Sequence, residues 1–349
     1  MQDRVTPRPG ASSALARLLA PDLVGAGAPE RPITVDQTNA SVVVDERVVV
    51  KWLLPPVPEP HPGVELLAHL REVGFDEMPP FVGHHVDDGS VDAIVTGLVP
   101  GALDGWDWFV DQLVGVATGT QPAAAVLASA RRIGALTARL HVALATPSSV
   151  LPEPTATGRV DAEAARCRAL LAEATEVAVG EARDLVVGLA PRIAQAVAEL
   201  DGHDGDTLVQ RLHGDLHVGQ LLLADNRRLY VTDFDGNPLS KPVERRMRRP
   251  AAVDLAALLQ SVDHAGRVAV RRHPDAAELL EPVIGAAVGE ALDSYRRELD
   301  GHDGGGLLDE RLLWPLRVAQ ELHELVYAAR HLPRWTYAPV ATLTAMFRD

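Results

Sequence analysis

The residues best suited to chemistry in this chain lie in two short segments, 213–220 and 232–238. The apolar run with a polar tip between them predicts a β-hairpin. Because a hairpin brings its flanks together, we expect Asp215, Gln220 and Asp233 to converge. One carboxylate that orients an attacking hydroxyl, beside an amide oxygen and a second carboxylate that hold Mg²⁺ on ATP, is an arrangement used in phosphoryl transfer.

Asp215 is therefore the predicted catalytic base, which also orients the acceptor. Gln220 and Asp233 are the predicted Mg²⁺ ligands, because Mg²⁺ accepts oxygen donors and waters. Asp235 follows two residues after Asp233. It is predicted either to join the metal shell or to bind the substrate.

A different metal site is an alternative for the first segment. His213, Asp215 and His217 alternate along the chain, and alternate residues of a strand share one face. No third imidazole or thiolate follows at zinc-ligand spacing, so the hairpin explains more of the pattern. We expect both histidines to hydrogen-bond backbone groups and brace the loop.

A lysine is expected at the phosphates. Lys51 ends the second strand of a predicted hairpin, and the chain has only one other lysine, Lys241. In a two-lobed kinase such a lysine contacts the α- and β-phosphates and pairs with a helix glutamate. Glu65 is the predicted partner, as the acid in the first helix after the strand. A surface lysine on an edge strand is the alternative.

The polar turn before that strand stands where a loop would cover the phosphates. It contains no glycine. Thr38, Asn39 and Ser41 are predicted to supply donors there instead. An ordinary polar turn is an equally good interpretation.

A polar cluster near the end of the chain predicts a substrate site. Gln320 and Glu324 share one face of a predicted helix with a tyrosine, and Glu321 is adjacent. Trp335 follows the helix. Two acids beside aromatic rings suit a sugar that carries an ammonium group, and a solvated helix face is the alternative.

The elements that must position these residues change character along the chain. Alternating β-branched residues predict strands near 41–44, 48–53, 81–83 and 91–96, with a helix at 64–73 and a Pro-rich stretch from 55 to 62 that ends the second strand. The break at Pro100-Gly101 predicts a hinge, with the backbone of Leu98 and Val99 beside adenine. Helical patterns follow at 123–144, at 161–200 with a break near Pro191, and at 253–262, 276–299 and 312–332.

This pattern predicts an α+β, bilobal architecture with a small β-rich first lobe and a larger, mostly helical second lobe. The predicted parts are a cap or arm at 1–30, a nucleotide-binding lobe at 31–98, and a helical lobe at 99–349 that carries the hairpin at 210–240.

Composition limits the partners. The 349 residues carry a formal net charge of −15, which argues against general binding to nucleic acid or an anionic membrane and permits a cationic substrate. No apolar run is long enough to span a membrane, and the first residues lack the layout of a signal peptide. Cys167 is the only cysteine, so no internal disulfide can form. We expect a cytoplasmic monomer.

The two motifs resemble the signature of the aminoglycoside phosphotransferase and choline kinase superfamily, which has a protein-kinase-like fold. The longer forms HGDLHVGQLLL and YVTDFDGNP, with a helix at 248–266, are similar to the maltokinase group. Where maltokinases have Glu-Gly-Glu-Pro, this chain has 235–238, Asp-Gly-Asn-Pro. That difference and the 320–335 cluster resemble the glucosamine kinases of the maltokinase-like group.

The resemblance implies ATP- and Mg²⁺-dependent phosphorylation of glucosamine at O6. It also implies the roles given above for Asp215, Gln220, Asp233 and Lys51. The rivals are a maltokinase that makes maltose 1-phosphate, an aminoglycoside phosphotransferase, and a non-catalytic kinase-like binding protein.

Overall fold

The computed structural model describes residues 8–33, 39–201, 206–238, 240–302 and 304–348. Two compact units account for them. The first contains the described residues of Met1–Ala102, Pro147–Pro152 and Leu222–Arg245, and the second those of Leu103–Thr146, Glu153–Leu221 and Arg246–Asp349. The predicted lobe boundaries stay a prediction, and these units differ from them in grouping most of the hairpin segment with the first unit.

The strands are β1 (Glu30–Ile33), β2 (Ala40–Val44), β3 (Val48–Pro58), β4 (Phe81–Asp87), β5 (Ser90–Gly97), β6 (Leu103–Asp104), β7 (Thr155–Gly158), β8 (Thr207–Gln210), β9 (Leu221–Leu223) and β10 (Leu229–Val231). The helices are α1 (Ala11–Leu19), α2 (Pro62–Glu72), α3 (Gly105–Ala117), α4 (Ala123–Leu144), α5 (Asp161–Val177), α6 (Gly180–Asp201), α7 (Pro242–Arg245), α8 (Ala252–Arg272), α9 (Ala277–Gly301), α10 (Leu313–His331) and α11 (Tyr337–Met346). None of these helices is long and apolar enough to cross a membrane.

An antiparallel sheet of order β1-β2-β3-β5-β4 forms the centre of the first unit. Alternate residues of β2 and β3, such as Val42, Val44, Val48 and Val50, are buried in one cluster with α1. Burying a valine side chain stabilises the fold by about 1.5–3 kcal/mol, so this alternation fixes which side chains point away from the cluster. Lys51 lies between buried Val50 and partly buried Trp52, which both pack in this cluster, and it therefore points to the other face.

The predicted end of β3 was wrong. The strand continues through the Pro-rich stretch to Pro58, and its pairing with β5 shifts register between Trp52 and Val57. Prolines cannot donate to a strand ladder, and they are tolerated where a bulge leaves residues unpaired. The exposed Pro55 and Pro56 lie in that irregular part.

The predicted hairpin between the two motifs is confirmed as β9 and β10. The Val231 backbone N–H donates to the Glu77 carbonyl at 2.8 Å, which ties the end of β10 to the segment that follows α2. Asp233 lies two residues beyond that tie.

Helices make up most of the second unit, as predicted, and α4 has the predicted bounds. The predicted break near Pro191 was wrong, because α6 continues through this residue. The break lies at Ala178, which has an extended backbone, and Gly180, whose φ of 55° is left-handed. Buried apolar residues of α6 on both sides of Pro191, among them Val186 and Ile193, supply packing that offsets the missing hydrogen bond.

Helices α4 and α9 pack so closely that a side chain does not fit between them at one point. A Cβ added at Gly134 would overlap the backbone carbonyl of Ala291. Backbone cannot move aside as the end of a flexible side chain can. The close approach therefore requires glycine, although glycine weakens a helix interior.

We predict that Gly134→Ala lowers the free energy of unfolding by about 1–3 kcal/mol, because α4 and α9 must separate. Urea unfolding measures this loss. The matched control is Gly285→Ala in α9, where an added Cβ meets nothing within 4 Å. The control is expected to raise stability slightly, by up to about 1 kcal/mol. Equal effects of the two substitutions would contradict the packing argument.

Candidate active site

Lys51 joins the two acids of the second motif. Its Nζ donates to Asp233 Oδ1 at 2.6 Å and to Asp235 Oδ2 at 2.8 Å. The side chains of Lys51 and Asp235 are 19% and 18% exposed, whereas that of Asp233 is 42% exposed. Asp233 is therefore the more accessible oxygen donor of this group.

Ion pairing keeps the Lys51 side chain protonated. Burial alone would lower the pKa of Lys51, but Asp235 and Asp233 outweigh burial and raise that pKa above its ordinary value. The ammonium is therefore charged at every pH at which the protein works. It is a fixed point charge suited to an anionic ligand.

The backbone of the second motif is unusual at two positions. Asp233 has a φ of 61° and Gly236 a φ of 74°. The left-handed conformation costs a non-glycine residue about 1–2 kcal/mol, and the ion pair with Lys51 helps to offset that cost at Asp233. Gly236 adopts it without penalty because glycine has no Cβ.

Gly63, which the sequence reasoning missed, leaves space for the Asp235 side chain. A Cβ at Gly63 would lie 2.6 Å from Asp235 Oδ1. Gly63 lies in the first turn of α2, which His61 caps by accepting from the backbone N–H groups of Gly63 and Val64. A carboxylate is favoured beside a helix N-terminus, where the helix dipole is positive.

The other predicted nucleotide residues lie as follows. Glu65 is in the first turn of α2, and its pairing with Lys51 stays a prediction. Asn39 precedes β2, Ser41 is the β2 residue in register with Lys51, and Thr38 lies outside the described residues. The Leu98 N–H donates to the Arg47 carbonyl at 2.8 Å, and Val99 is buried.

The first motif forms a loop that a buried carboxylate holds by its backbone. Asp254, in the first turn of α8, accepts from the His213 N–H at 2.8 Å and from the Gly214 N–H at 3.0 Å. Gly214 has a φ of 80°, which glycine adopts freely. Asp215, half-buried, follows directly and is positioned by these two bonds. The sequence reasoning missed Asp254 as a functional residue, although it lies in the conspicuous helix after the motifs.

The two histidines brace the loop, as predicted. His213 Nδ1 accepts from the Asp215 N–H at 3.3 Å, and His217 Nδ1 accepts from the Gly219 N–H at 3.1 Å. The Gln220 N–H donates to the His217 carbonyl at 2.8 Å within a turn of 3₁₀-helix, Val218–Gln220. Gln220 is thereby fixed by its backbone.

Asp254 is an ionised group in the interior. Burial alone would raise the pKa of its carboxyl, but His141, His213 and the Gly214 N–H hold that pKa below its ordinary value. A buried carboxylate without such partners would cost several kcal/mol. The negative charge of Asp254 therefore stabilises the conformation of the loop that contains His213 and Gly214.

The donor atoms suit Mg²⁺ better than zinc. Among the described residues, no group of three or more His, Cys, Asp or Glu side chains is arranged to hold a metal ion. Gln220 and Asp233 offer amide and carboxylate oxygens, which are hard donors that Mg²⁺ uses together with waters and phosphate oxygens. These residues fit the predicted ion in chemical type.

The C-terminal cluster brings acids and aromatic rings together within the second unit. The Trp335 Nε1–H donates to Glu324 Oε2 at 3.3 Å. The Trp335 ring centroid lies 5.7 Å from that of Trp106 and 5.6 Å from that of His264. Sequence reasoning missed Trp106 and His264, which come from α3 and α8 and are distant in the chain.

The two acids of this cluster differ in environment. Glu324 is half-buried, whereas Glu321 is buried, with Oε2 3.2 Å from His264 Nε2. Burial raises the pKa of Glu321 to about 6, against the opposing effect of His264. Gln320, also half-buried on α10, precedes them. The substrate roles of these residues and of Asp235 stay predictions, and the described ion-pair partner of Asp235 is Lys51.

Comparison with known proteins identifies the family. No protein-family model matches the chain. A glucosamine kinase of Streptacidiphilus jiangxiensis is 44% identical over 332 residues, covering 92% of this chain and 74% of that protein. A glucosamine kinase of Mycolicibacterium smegmatis is 36% identical over 329 residues, covering 92% of this chain and 80% of that protein.

Solved structures agree with the fold. A glucosamine kinase in complex with glucosamine, ADP and inorganic phosphate has a TM-score of 0.84 at 37% identity, covering 99% of this chain and 84% of that one. A choline kinase from Cryptosporidium parvum has a TM-score of 0.52 at 11% identity, covering 96% and 93% of the two chains, which is a likeness of fold alone. The predicted α+β kinase-like fold is confirmed, and the chain is an ATP-dependent phosphotransferase of the sugar-kinase class. More narrowly, it belongs to the glucosamine kinase family.

We predict that Asp254→Asn lowers the free energy of unfolding by about 1–3 kcal/mol at neutral pH. An amide offers one acceptor to two backbone N–H groups and turns a donor toward one of them. Because folding lowers the pKa of Asp254, its contribution is fully present above about pH 5 and is lost as the pH falls below about 4. Urea unfolding from pH 3 to 7 measures the difference between the two proteins. A difference that stays constant down to pH 3 would contradict the role of the ionised carboxylate.

Proposed function

We propose that the chain transfers the γ-phosphoryl group of ATP to O6 of glucosamine, giving glucosamine 6-phosphate and ADP. The observation that carries this proposal is the solved glucosamine kinase with bound glucosamine, ADP and inorganic phosphate, which matches 99% of this chain at a TM-score of 0.84. Relatives at 44% and 36% identity that carry the same name support it.

Asp215 is the proposed catalytic residue of the transfer. Its carboxylate accepts the proton of the sugar 6-hydroxyl while the O6–Pγ bond forms and the bond from Pγ to the ADP oxygen breaks. A carboxylate of ordinary acidity suffices, because phosphoryl transfer depends mainly on positioning and charge neutralisation. The backbone bonds to Asp254 support this role, since they fix the loop that carries Asp215.

Lys51, Gln220 and Asp233 are the proposed nucleotide-handling groups. Lys51 contacts the phosphates through its permanent charge, and the oxygens of Gln220 and Asp233 would hold Mg²⁺. When bound, Mg²⁺ neutralises charge on the β- and γ-phosphates. Thr38, Asn39, Ser41 and Glu65 support the phosphates and Lys51, and the backbone of Leu98 and Val99 contacts adenine.

The acidic and aromatic cluster is the proposed sugar site. Glu324, held by the Trp335 indole, faces the ammonium at C2, and Trp335 presents its ring to the sugar. Gln320 contributes hydrogen bonds. Glu321 acts through its ion pair with His264, because its burial leaves little surface for a ligand.

We predict that the purified protein with ATP and Mg²⁺ phosphorylates glucosamine and prefers it to glucose by at least about tenfold. A lost charged hydrogen bond costs on the order of 1.5–3 kcal/mol. The measurement is coupled ADP release over a panel of glucosamine, N-acetylglucosamine, glucose, maltose and kanamycin. Phosphorus–proton NMR of the product then locates the phosphate at O6.

Each rival has its own outcome in this panel. Turnover of maltose without glucosamine, with the phosphate at the anomeric oxygen, would replace the proposal by a maltokinase. Turnover of kanamycin alone would make the chain an antibiotic phosphotransferase. Nucleotide binding without turnover of any sugar would favour a non-catalytic binding protein.

A further inference from the structure

A chain of buried polar side chains leads to the first motif from the helical interior. Tyr295 of α9, His141 of α4 and Asp254 of α8 are 0%, 0% and 1% exposed. The reaction proposed above uses none of the three directly. Burying a polar group costs free energy unless the group is paired. Three buried polar side chains in contact therefore suggest a functional role.

Their contacts are sequential. Tyr295 Oη lies 2.7 Å from His141 Nδ1, and the two rings meet edge to face with centroids 5.5 Å apart. His141 Nε2 lies 3.5 Å from Asp254 Oδ2, which is within ion-pair distance but does not meet the geometry of a hydrogen bond. Asp254 then accepts from the backbone N–H groups of His213 and Gly214. The path runs from a phenol to the backbone just before Asp215.

The protons along this path follow from the chemistry of the groups. Burial raises the pKa of Tyr295 above its ordinary value, so the phenol keeps its proton. Asp254 is ionised, so a ring nitrogen that turned a lone pair toward it would be repelled. His141 therefore carries a proton on Nε2, facing the carboxylate. With the proton on Nε2, a lone pair on Nδ1 can accept the Tyr295 hydroxyl.

We propose that Tyr295 and His141 are positioning residues for phosphoryl transfer. They orient the Asp254 carboxylate so that both of its oxygens stay on the backbone N–H groups of His213 and Gly214, and this holds Asp215 in place. The inference rests on the proposed role of Asp215 as the base. The path ends at backbone N–H groups, which do not exchange protons with a substrate. The three side chains therefore position the loop and transfer no proton.

The test is Tyr295→Phe, which removes the hydroxyl and leaves the ring. Without that donor, His141 can turn or change its protonated nitrogen, and Asp254 loses its fixed orientation. We expect kcat to fall about three- to tenfold, with the KM values for ATP and glucosamine within about twofold of the wild type, because small displacements of a base slow chemistry more than binding. His141→Gln is expected to act on the same parameter. The double variant should be no slower than the slower single variant, since the two residues act in series.

A matched control separates positioning from general loss of stability. Ile284→Val removes a methyl group from a side chain of α9 that is 1% exposed and lies outside this path. It is expected to lower the melting temperature to a similar degree while leaving kcat unchanged. An equal loss of kcat in Ile284→Val and Tyr295→Phe would overturn the proposal, as would an unchanged kcat in a folded Tyr295→Phe protein.

A second readout does not depend on the substrate. Hydrogen exchange of the peptide containing residues 213–215, followed by mass spectrometry, should become faster in Tyr295→Phe and not in Ile284→Val. If the wild type does not phosphorylate glucosamine, the proposed function fails while this measurement still decides the positioning claim. Unchanged exchange in Tyr295→Phe would overturn the positioning claim alone.

Discussion

The carboxylate of Asp254 is the constraint on which the candidate catalytic loop depends. It is a buried charge that turns both oxygens to consecutive backbone N–H groups, at 2.8 and 3.0 Å. An uncompensated buried charge would destabilise the protein by several kcal/mol, so the loop and the carboxylate stabilise each other. Positioning of this kind is what phosphoryl transfer asks of a protein.

Charge neutralisation has a separate source in the first unit. Lys51 lies against Asp233 and Asp235, and the pairing keeps the lysine protonated. The left-handed backbone at Asp233 and the absence of a side chain at Gly63 allow this packing. The same ammonium that neutralises two acids is a charge that a phosphate group can share. The phosphate binding proposed for Lys51 would therefore use the same half-buried cation that pairs with the two acids.

The sequence predicted those features that depend on local pattern. The β2–β3 and β9–β10 hairpins, the long helix α4 and the bracing histidines follow from alternation, periodicity and turn residues. Features that depend on tertiary contact were missed. Asp254 cannot be distinguished from the other acids in the sequence, because only the fold brings α8 into contact with the loop. Trp106 and His264 pack against Trp335 although they are distant from it in the sequence. The breaks predicted from Pro55 and near Pro191 were wrong because β3 accommodates its exposed prolines in an irregular part of its pairing and α6 gains packing on both sides of Pro191.

The measurement that tests the account most directly is a comparison of nucleotide binding and turnover in Asp215→Asn. The substitution keeps the size of the side chain and removes its ability to accept the acceptor's proton. We expect ADP to bind with a Kd within about twofold of the wild type by calorimetry, while kcat falls by about a hundredfold or more. Asp225→Asn, at an exposed acid of the hairpin turn, is the matched control and should change neither value. Undiminished turnover in Asp215→Asn would contradict the account.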